Sequence, residues 1–476
     1  MAGLNVALVA GSMPNFSAEG PLIYRRCRED LKKTARELDF DLTVYEDLIL
    51  SPEQAANIRV ELDRRNFDLV MIFHPTYLLG DVAAELMKTG AHIGLWAVEE
   101  PSKDGPLPLA SLVCLNQNIA IAAHCFRDKR VKWFFGNTDS RYFKRRFEIT
   151  VRALRAVREL KDARVAQIGP TAPGFLAMAY DEKEIHRNLG VTVVPGIEIK
   201  DVLAAADAMD DAMVRAEMEK LRARCRAVEV GDRKIEGSVR IFLATRRICE
   251  ENGFKAAAFS CWPELGTLRN LKPCVANALL DSSGIPVSCE GDMLSAISML
   301  VLKILGNRPV AVMDLPAFDD ADDSILLWHC GSAPFEMANK QGVSCRYSYR
   351  AAFDDKKGDD QDGPVADLVY APGPVTVFRF TGEGDQGYYV TGDISDAGKK
   401  SWDGSRGWVY NLKFYGEPIK AIDLMNTILV NGLPHHYPFT VADVSAELEE
   451  MAVWLGLRRV PRNDYTDYLQ GGGVRS

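Results

Sequence analysis

The amino-acid sequence predicts an α/β fold: two Rossmann-like parallel-sheet domains followed by a β-rich, barrel-like C-terminal domain. Nearly continuous apolar runs alternate with amphipathic helical segments over the first 305 residues, as in parallel sheets that are covered by helices on both faces. This alternation restarts after a long helical pattern at 146–160. From about residue 307, short strands and Gly-rich turns replace it. The predicted domains are therefore 1–160, 161–305 and 306–476.

Length and composition limit the class of protein. A chain of 476 residues is too long for one hydrophobic core, and 47% hydrophobic with 26% charged residues is typical of a globular enzyme. A net charge of −9 disfavours a nucleic-acid partner. The ten cysteines form no CxxC pair, which favours reduced thiols and a cytoplasmic location. The sequence shows neither a signal peptide nor an apolar run long enough to span a bilayer, so we expect no membrane partner.

The first predicted domain alternates strands with helices. Its strands are predicted at 5–10, 42–45, 67–73 and 92–98, and its helices at 18–38, 52–65 and 83–89. Parallel sheets bind ligands at the carboxyl ends of their strands, where this sequence has Gly11-Ser12, His74 and Glu99-Glu100. Gly11-Ser12 does not form a GxGxxG motif, so a dinucleotide is disfavoured. His74 is either a substrate contact or, more commonly, a hydrogen-bonded structural residue.

The second predicted domain repeats the pattern. Its strands are predicted at 165–168, 191–194 and 256–259, and its helices at 199–226, 238–252 and 270–280. Loop 169–175 resembles a turn that binds phosphate or sugar oxygens, although Gly and Pro also mark ordinary turns. Glu264 is an acid that follows the strand at 256–259.

Residues 287–314 carry the acids on which the functional prediction depends. Glu290 and Asp292 follow an apolar run, and apolar residues then recur at helical spacing until Gly306 and Asn307 end the helix. A second apolar run ends on Asp314. Because the helix returns the chain, the two strand ends are expected to lie close together. The acids either form a metal or acid/base site or merely cap these elements.

The third predicted domain contributes the histidines. Strands at 374–381, 386–394 and 407–414 predict an antiparallel barrel or sandwich, and 441–456 predicts a helix. His329 follows a strand at 325–328. His435 and His436 follow a Gly-Leu-Pro turn, and only seven histidines occur in the chain. The pair is either a surface turn or part of a site.

These motifs resemble those of the L-fucose isomerase and L-arabinose isomerase superfamily. The resemblance rests on the segments CEGDMLSAISML and GNRPVAVMD, then WHCG, then GLPHH. In this resemblance Glu290 is the first acid, Asp314 the second, and His435 or His436 the C-terminal histidine. His329 is similar to an additional metal histidine of the arabinose branch. The short C-terminal domain and the Trp262-Pro263-Glu264 turn depart from the named enzymes, as in a divergent branch that includes isomerases of C6-modified hexoses such as sulfoquinovose.

The resemblance implies a metal-dependent aldose–ketose isomerase that acts on a small-molecule sugar, a hexose or a pentose, through an enediol. Oxygen-rich ligands with imidazole favour Mn²⁺, or another divalent cation such as Mg²⁺ or Co²⁺. Glu290 and Asp314 would both bind the metal and transfer protons, and Asp292 would be an outer-shell residue or a helix N-cap. The expected metal ligands are Glu290, Asp314, His329, His435 and His436, and the expected substrate contacts are Trp262, Glu264 and His329.

The resemblance also implies a homo-oligomer, such as a hexamer, in which the first domain of one subunit helps to close the site of a neighbour. His74, Trp96 and Glu99 are the candidates for that role. Two other classes stay open from the sequence. One is a non-enzymatic sugar-binding or sensor protein, since tandem α/β domains also occur there. The other is a metal-dependent aldolase or epimerase, which uses the same enolate-type chemistry.

Overall fold

The computed structural model describes residues 3–14, 16, 18–353, 355–395 and 398–470. The chain forms two compact units, Met1–Arg158 and Glu159–Ser476. The predicted domain 1–160 ends close to this division. The predicted domains 161–305 and 306–476 both lie within the second unit. Among the described residues, no helix is both long enough and apolar enough to cross a membrane.

The first unit contains a five-stranded parallel sheet with the strand order β2-β1-β3-β4-β5. The four predicted strands are present, and the pair α4 and β5, which the sequence analysis did not predict, extends the sheet. The elements are β1 Asn5–Gly11, α1 Gly20–Leu38, β2 Asp41–Ile49, α2 Pro52–Arg65, β3 Leu69–His74, α3 Gly80–Met87, β4 His92–Ala97, α4 Ser111–Cys125, β5 Val131–Phe135 and α5 Arg141–Lys161.

His74 and Trp96 are structural residues of this unit. Both side chains are fully buried. His74 Nδ1 lies 3.0 Å from the Trp96 carbonyl and His74 Nε2 lies 3.0 Å from Asn118 Nδ2. The Trp96 indole donates to the Gly136 carbonyl at 2.8 Å. Neither side chain can therefore reach the site of another subunit, and of the three candidates only Glu99 is exposed.

The second unit begins with a four-stranded parallel sheet of order β10-β9-β6-β7. The predicted helix 238–252 ends at Asn252, and Gly253 after it adopts a left-handed φ of 67°. The single helix predicted at 199–226 was wrong, because this stretch forms two helices, Ile199–Asp207 and Asp211–Arg224, and then enters the strand Cys225–Val228. The elements are β6 Arg164–Ile168, α6 Glu182–Leu189, β7 Thr192–Ile197, α7 Ile199–Asp207, α8 Asp211–Arg224, β8 Cys225–Val228, α9 Asp232–Asn252, β9 Ala256–Phe259, α10 Glu264–Arg269, α11 Cys274–Ser282, β10 Val287–Ser288 and α12 Met293–Gly306.

In the described part of the remaining chain, six strands form a closed antiparallel barrel. Its elements are β11 Val310–Asp319, β12 Ser324–His329, β13 Val343–Arg346, β14 Val365–Val369, β15 Gly373–Thr381, β16 Gln386–Ile394, β17 Ser405–Phe414, β18 Glu417–Pro418, α13 Ala421–Val430, β19 Tyr437–Thr440, α14 Ser445–Leu455 and β20 Arg458–Arg459. Strands β15, β16, β17, β12, β11 and β19 pair in this order, and β19 pairs with β15 again. The predicted β-rich, barrel-like C-terminal region is confirmed.

Helix α12 joins the parallel sheet to the barrel. It contacts β6, β9 and β10 of the sheet and β11, β15 and β19 of the barrel. Eleven of its fourteen residues are buried, because both sides of the helix pack against a sheet. A second connection is β8, which pairs in parallel with β13 and so extends the barrel sheet. These two connections explain why the segments before and after Gly306 form one compact unit.

We expect Leu302→Ala, in the middle of α12, to lower the free energy of unfolding by about 2–5 kcal/mol, because the fully buried side chain leaves a cavity between two sheets. Leu429→Ala on α13 is the matched control. That side chain is 71% exposed, so the change should stay within about 0.5 kcal/mol. Urea unfolding followed by circular dichroism measures both. Equal losses in the two variants would contradict the central position of α12.

Candidate metal centre

Glu290 is held in a tight turn directly after the short strand β10. Glu290 and Gly291 both adopt left-handed backbone angles, with φ of 61° and 71°. The Glu290 carbonyl accepts from Ala172 N at 2.9 Å, and Gly291 N donates to the Phe259 carbonyl at 3.0 Å. A Cβ atom at position 291 would lie 2.7 Å from the Pro170 carbonyl oxygen, so glycine is required there. A positive φ at Glu290 costs of order 1–3 kcal/mol, and such strain is concentrated at functional sites.

Asp314 and His329 lie on adjacent strands of the barrel. Asp314 pairs with Trp328, and the ladder between β11 and β12 is irregular between Asp314 and Ala317. The apolar run predicted that the strand ends at Asp314, and this was wrong. Strand β11 continues to Asp319 because its pairing with β12 resumes beyond the irregularity. His329 ends β12 and is buried. The bulge-like irregularity changes the direction of the strand beside the site.

His435 and His436 immediately precede β19. The register of β19 against β11 pairs Tyr437 with Met313, so His436 comes beside Asp314. The His436 side chain is fully buried, whereas 49% of the His435 side chain is exposed. The two histidines therefore differ in their surroundings although they are neighbours in sequence.

The acids and histidines selected from the sequence meet at one place. His436 Nε2 lies 3.2 Å from Glu290 Oε2 and 4.0 Å from Asp314 Oδ1, and His435 Nε2 lies 3.6 Å from Glu290 Oε2. Two sets of three side chains place their ligand atoms within 4.8 Å of one another: Glu290, His435 and His436, and Asp314, His329 and His436. His436 belongs to both sets and is the centre of the site.

Four polar atoms at this centre are buried without a hydrogen-bond partner among the described residues. They are Glu290 Oε2, Asp314 Oδ1, His329 Nδ1 and His436 Nε2. Buried polar atoms are normally satisfied, and a group of carboxylate oxygens and imidazole nitrogens that face each other is what a divalent cation needs. The residues present therefore fit a metal ion.

Asp292 contacts the Nδ1 atom of His436, and Arg379 in turn contacts Asp292. Asp292 Oδ2 lies 2.9 Å from His436 Nδ1. Arg379 contacts both carboxylate oxygens of Asp292, at 2.8 and 3.2 Å, and both side chains are about 1% exposed. Asp292 also accepts from Ser295 N at 3.1 Å and so caps α12. Because an ionised Asp292 can only accept, Nδ1–H of His436 donates to it and Nε2 faces the two other acids.

The charges of the site stabilise one another. Burial raises the pKa of the Glu290 carboxyl, but the nearby His435 and His436 outweigh burial and hold this pKa well below its usual range. For Asp292, burial again raises the pKa, and the Arg379 charge holds it well below the usual range. Burial lowers the pKa of His436, but Asp292 and Glu290 raise it to about 10. The site thus attracts a cation, and a proton and a metal ion compete for Nε2.

Comparison with known proteins shows long but weak similarity to one kind of enzyme. No family model matches the chain. A sulfoquinovose isomerase of Priestia aryabhattai is 22% identical over 423 residues, which cover 87% of this chain and 89% of the relative. The sulfoquinovose isomerase of Alkalicoccus urumqiensis is 23% identical over 75% of this chain and 77% of the relative. The chain is thus similar to these sulfoquinovose isomerases over most of its length.

This relationship confirms the resemblance to sugar isomerases that was recognised from the sequence motifs. Among solved structures, a solute-binding protein of Agrobacterium vitis bound with alpha-D-tagatopyranose aligns with 65% of this chain and 83% of its own, at 12% identity and a TM-score of 0.16. A score this low supports no conclusion about the fold or the function of this chain.

Of two residues predicted to contact the substrate, Trp262 lies beside the metal centre, and Glu264 forms no described contact with its ligands. The Trp262 indole Nε1 lies 3.4 Å from Glu290 Oε1, so Trp262 is beside the centre. Glu264 begins α10 and, among the described residues, forms no hydrogen bond or ion pair with the ligand set. Its contact with substrate stays a prediction.

Arg379 was not among the residues predicted from the sequence. The signal was a charged residue in the apolar strand run VTVFRFT of β15, where a buried arginine requires an acidic partner.

We expect Asp292→Asn to weaken Mn²⁺ binding by about 10- to 100-fold, because the amide no longer fixes the orientation and basicity of His436. Isothermal titration with Mn²⁺ measures the affinity. Asp385→Asn is the control, since it removes an acid from an exposed pair with Arg458. An Asp292→Asn protein that binds Mn²⁺ as tightly as the wild type would contradict this role.

Proposed function

We propose that this protein is a metal-dependent aldose–ketose isomerase, with sulfoquinovose as the first substrate to test. The observation that carries the proposal is that two groups of possible ligands, Glu290 with His435 and Asp314 with His329, share His436. Four of the ligand atoms are buried and have no hydrogen-bond partner among the described residues. The names of the relatives support a sugar isomerase. Mn²⁺ is the proposed cofactor, with Mg²⁺ or Co²⁺ as alternatives, since carboxylates and imidazole together suit these ions.

The proposed reaction moves two protons. The carbon-bound proton of the aldose passes from C2 to C1, and the hydroxyl proton passes from O2 to O1, through an enediol. A divalent ion held by Glu290, Asp314, His329 and His436 would polarise the carbonyl and so make the C2 proton more acidic. We propose Glu290 and Asp314 as the carboxylates that accept and return protons. Each such group typically contributes about 10²–10⁴ in rate.

The contacts and the partial exposure of Glu290 and Asp314 are compatible with the proposed proton transfer. Trp262 contacts Oε1 of Glu290 and leaves Oε2 facing His436 and His435. About 16% of the Glu290 side chain and 29% of the Asp314 side chain are exposed, so both side chains are partly open to solvent, whereas Glu290 Oε2 and Asp314 Oδ1 are buried. From the resemblance alone, we further propose that the protein is located in the cytoplasm and assembles as a homo-oligomer.

Isomerisation can be tested by proton exchange. The protein with Mn²⁺ is incubated in D₂O with sulfoquinovose, fucose, arabinose and glucose, and deuterium at C1 and C2 is followed by NMR. We expect solvent deuterium in one sugar and a lower kcat, by about 10²–10⁴, in Glu290→Gln and Asp314→Asn. Sugar binding without exchange would identify a binding protein instead. Products of carbon–carbon cleavage would identify an aldolase.

We also expect metal removal to lower thermal stability, because the ligands come from both sides of α12. Glu290 precedes this helix, whereas Asp314, His329 and His436 belong to the barrel. A ligand at 100 times its Kd stabilises a protein by about 2.7 kcal/mol. Calorimetry with EDTA and then with Mn²⁺ should show a loss and a recovery of several degrees in Tm. His436→Ala should show neither change, and an unchanged wild-type Tm after complete metal removal would contradict the prediction.

A further inference from the structure

An aromatic wall lies next to the centre, and two of its rings, those of Phe175 and Trp262, belong to no proposed metal ligand. It consists of Phe175 on loop 169–175 and Trp262 after β9, together with the half-exposed ring of His435. The Phe175 ring centroid lies 5.8 Å from that of Trp262 and 5.1 Å from that of His435, with interplanar angles of 76° and 82°. Phe175 and Trp262 are both only partly buried.

We infer that Phe175, together with Trp262, forms the wall that receives the apolar C–H side of the sugar, which makes Phe175 a residue that determines substrate affinity and specificity. This inference rests on the proposed function and names the part of the site that recognises the carbon skeleton. Sites for small polar ligands combine apolar and aromatic walls with a few placed polar groups. Here the polar groups are the ligands around His436, and the wall lies at one side of them.

Loop 169–175 is fixed to the turn that carries Glu290, so the wall has a defined position relative to the acid. Ala172 N donates to the Glu290 carbonyl at 2.9 Å, and Thr171 Oγ1 donates to the Gly291 carbonyl at 3.3 Å. Phe175 N donates to the Ala172 carbonyl at 3.2 Å, which continues the same loop. A sugar whose reacting end is at Glu290 therefore meets the Phe175 ring without movement of the loop.

The geometry of the rings leaves apolar surface for a ligand. Edge-to-face contacts cover less of each ring than stacked contacts do, and they are one of the two arrangements that aromatic pairs prefer. Trp262 uses its indole N–H on Glu290, so the rest of its ring is free to contribute apolar surface. Loss of one aromatic partner of this kind typically weakens binding by about 5- to 30-fold.

The purely structural alternative is that Phe175 only supports His435 and Glu290. The two roles differ in their readouts. A supporting residue would change metal affinity and kcat, because the ligands would lose their positions. A residue that contacts the sugar would change KM, and it would leave kcat and the effect of Mn²⁺ on Tm nearly unchanged.

The test compares Phe175→Leu and Phe175→Tyr with Phe353→Leu in the full chain, with Mn²⁺ and the sugar that the wild type isomerises best. Phe353 is 87% exposed and provides the same substitution outside the wall. We expect KM to rise about 5- to 30-fold in Phe175→Leu and less than about threefold in Phe175→Tyr, with kcat within about threefold. Phe353→Leu should leave KM and kcat unchanged, and all three variants should keep the Mn²⁺-dependent rise in Tm.

The outcomes separate the inference from the proposed function. If the wild type isomerises a sugar and Phe175→Leu keeps its KM, or loses the Mn²⁺-dependent rise in Tm while still folded, the inference is overturned and the proposed function stands. If Phe175→Leu does not fold, Phe175→Tyr decides, because a KM within threefold supports an aromatic contact and a larger rise contradicts it. A wild type that exchanges no sugar overturns the proposed function and this inference with it.

Discussion

The buried contacts of His436 are the interaction on which the candidate site depends. One ring nitrogen faces Asp292, which Arg379 neutralises, and the other faces Glu290 and Asp314. A carboxylate buried without a partner costs several kcal/mol, and removal of one member of a buried ion pair typically costs about 3–5 kcal/mol. The three side chains of Arg379, Asp292 and His436 therefore depend on one another. The Asp292–Arg379 ion pair fixes the orientation of the His436 ring.

This constraint explains the construction of the second unit. Asp292 caps α12 and contacts Arg379 on β15, so one carboxylate connects the helix start to the inside of the barrel. Helix α12 is buried along most of its length because it packs against both sheets. Loop 169–175 also fixes the turn that carries Glu290. The left-handed backbone of this turn is retained because hydrogen bonds from Ala172 N and to the Phe259 carbonyl hold it.

Several parts of the site could be predicted from particular residues. Glu290 and Asp314 each follow an apolar run that predicts a buried strand, and two of the few histidines are adjacent at 435 and 436. The structure places these side chains and His329 together. Their roles as ligands stay a prediction, because the geometry shows a fitting donor set and no more. The choice between His435 and His436 could not be made from sequence, since burial separates them and burial depends on the register of β19 against β11.

The partners of other residues could not be predicted from local sequence, even where, as at Arg379, a charged residue stands in an apolar strand run. Arg379 is 87 residues from Asp292, and Phe175 lies more than 80 residues before Trp262, so no spacing relates these partners. The strand end expected at Asp314 was wrong because the pairing of β11 with β12, rather than the apolar run, decides where the strand ends.

The sequence by itself determined the classes of element, the barrel-like C-terminal region and the residue types able to bind a cation, because hydrophobic periodicity and turn residues act locally. The tertiary structure alone decided which nitrogen of which histidine faces the acids, which arginine neutralises Asp292, and which rings lie beside Glu290. These choices depend on strand register and on the packing of α12 between two sheets, where contacts join residues that are far apart in the chain.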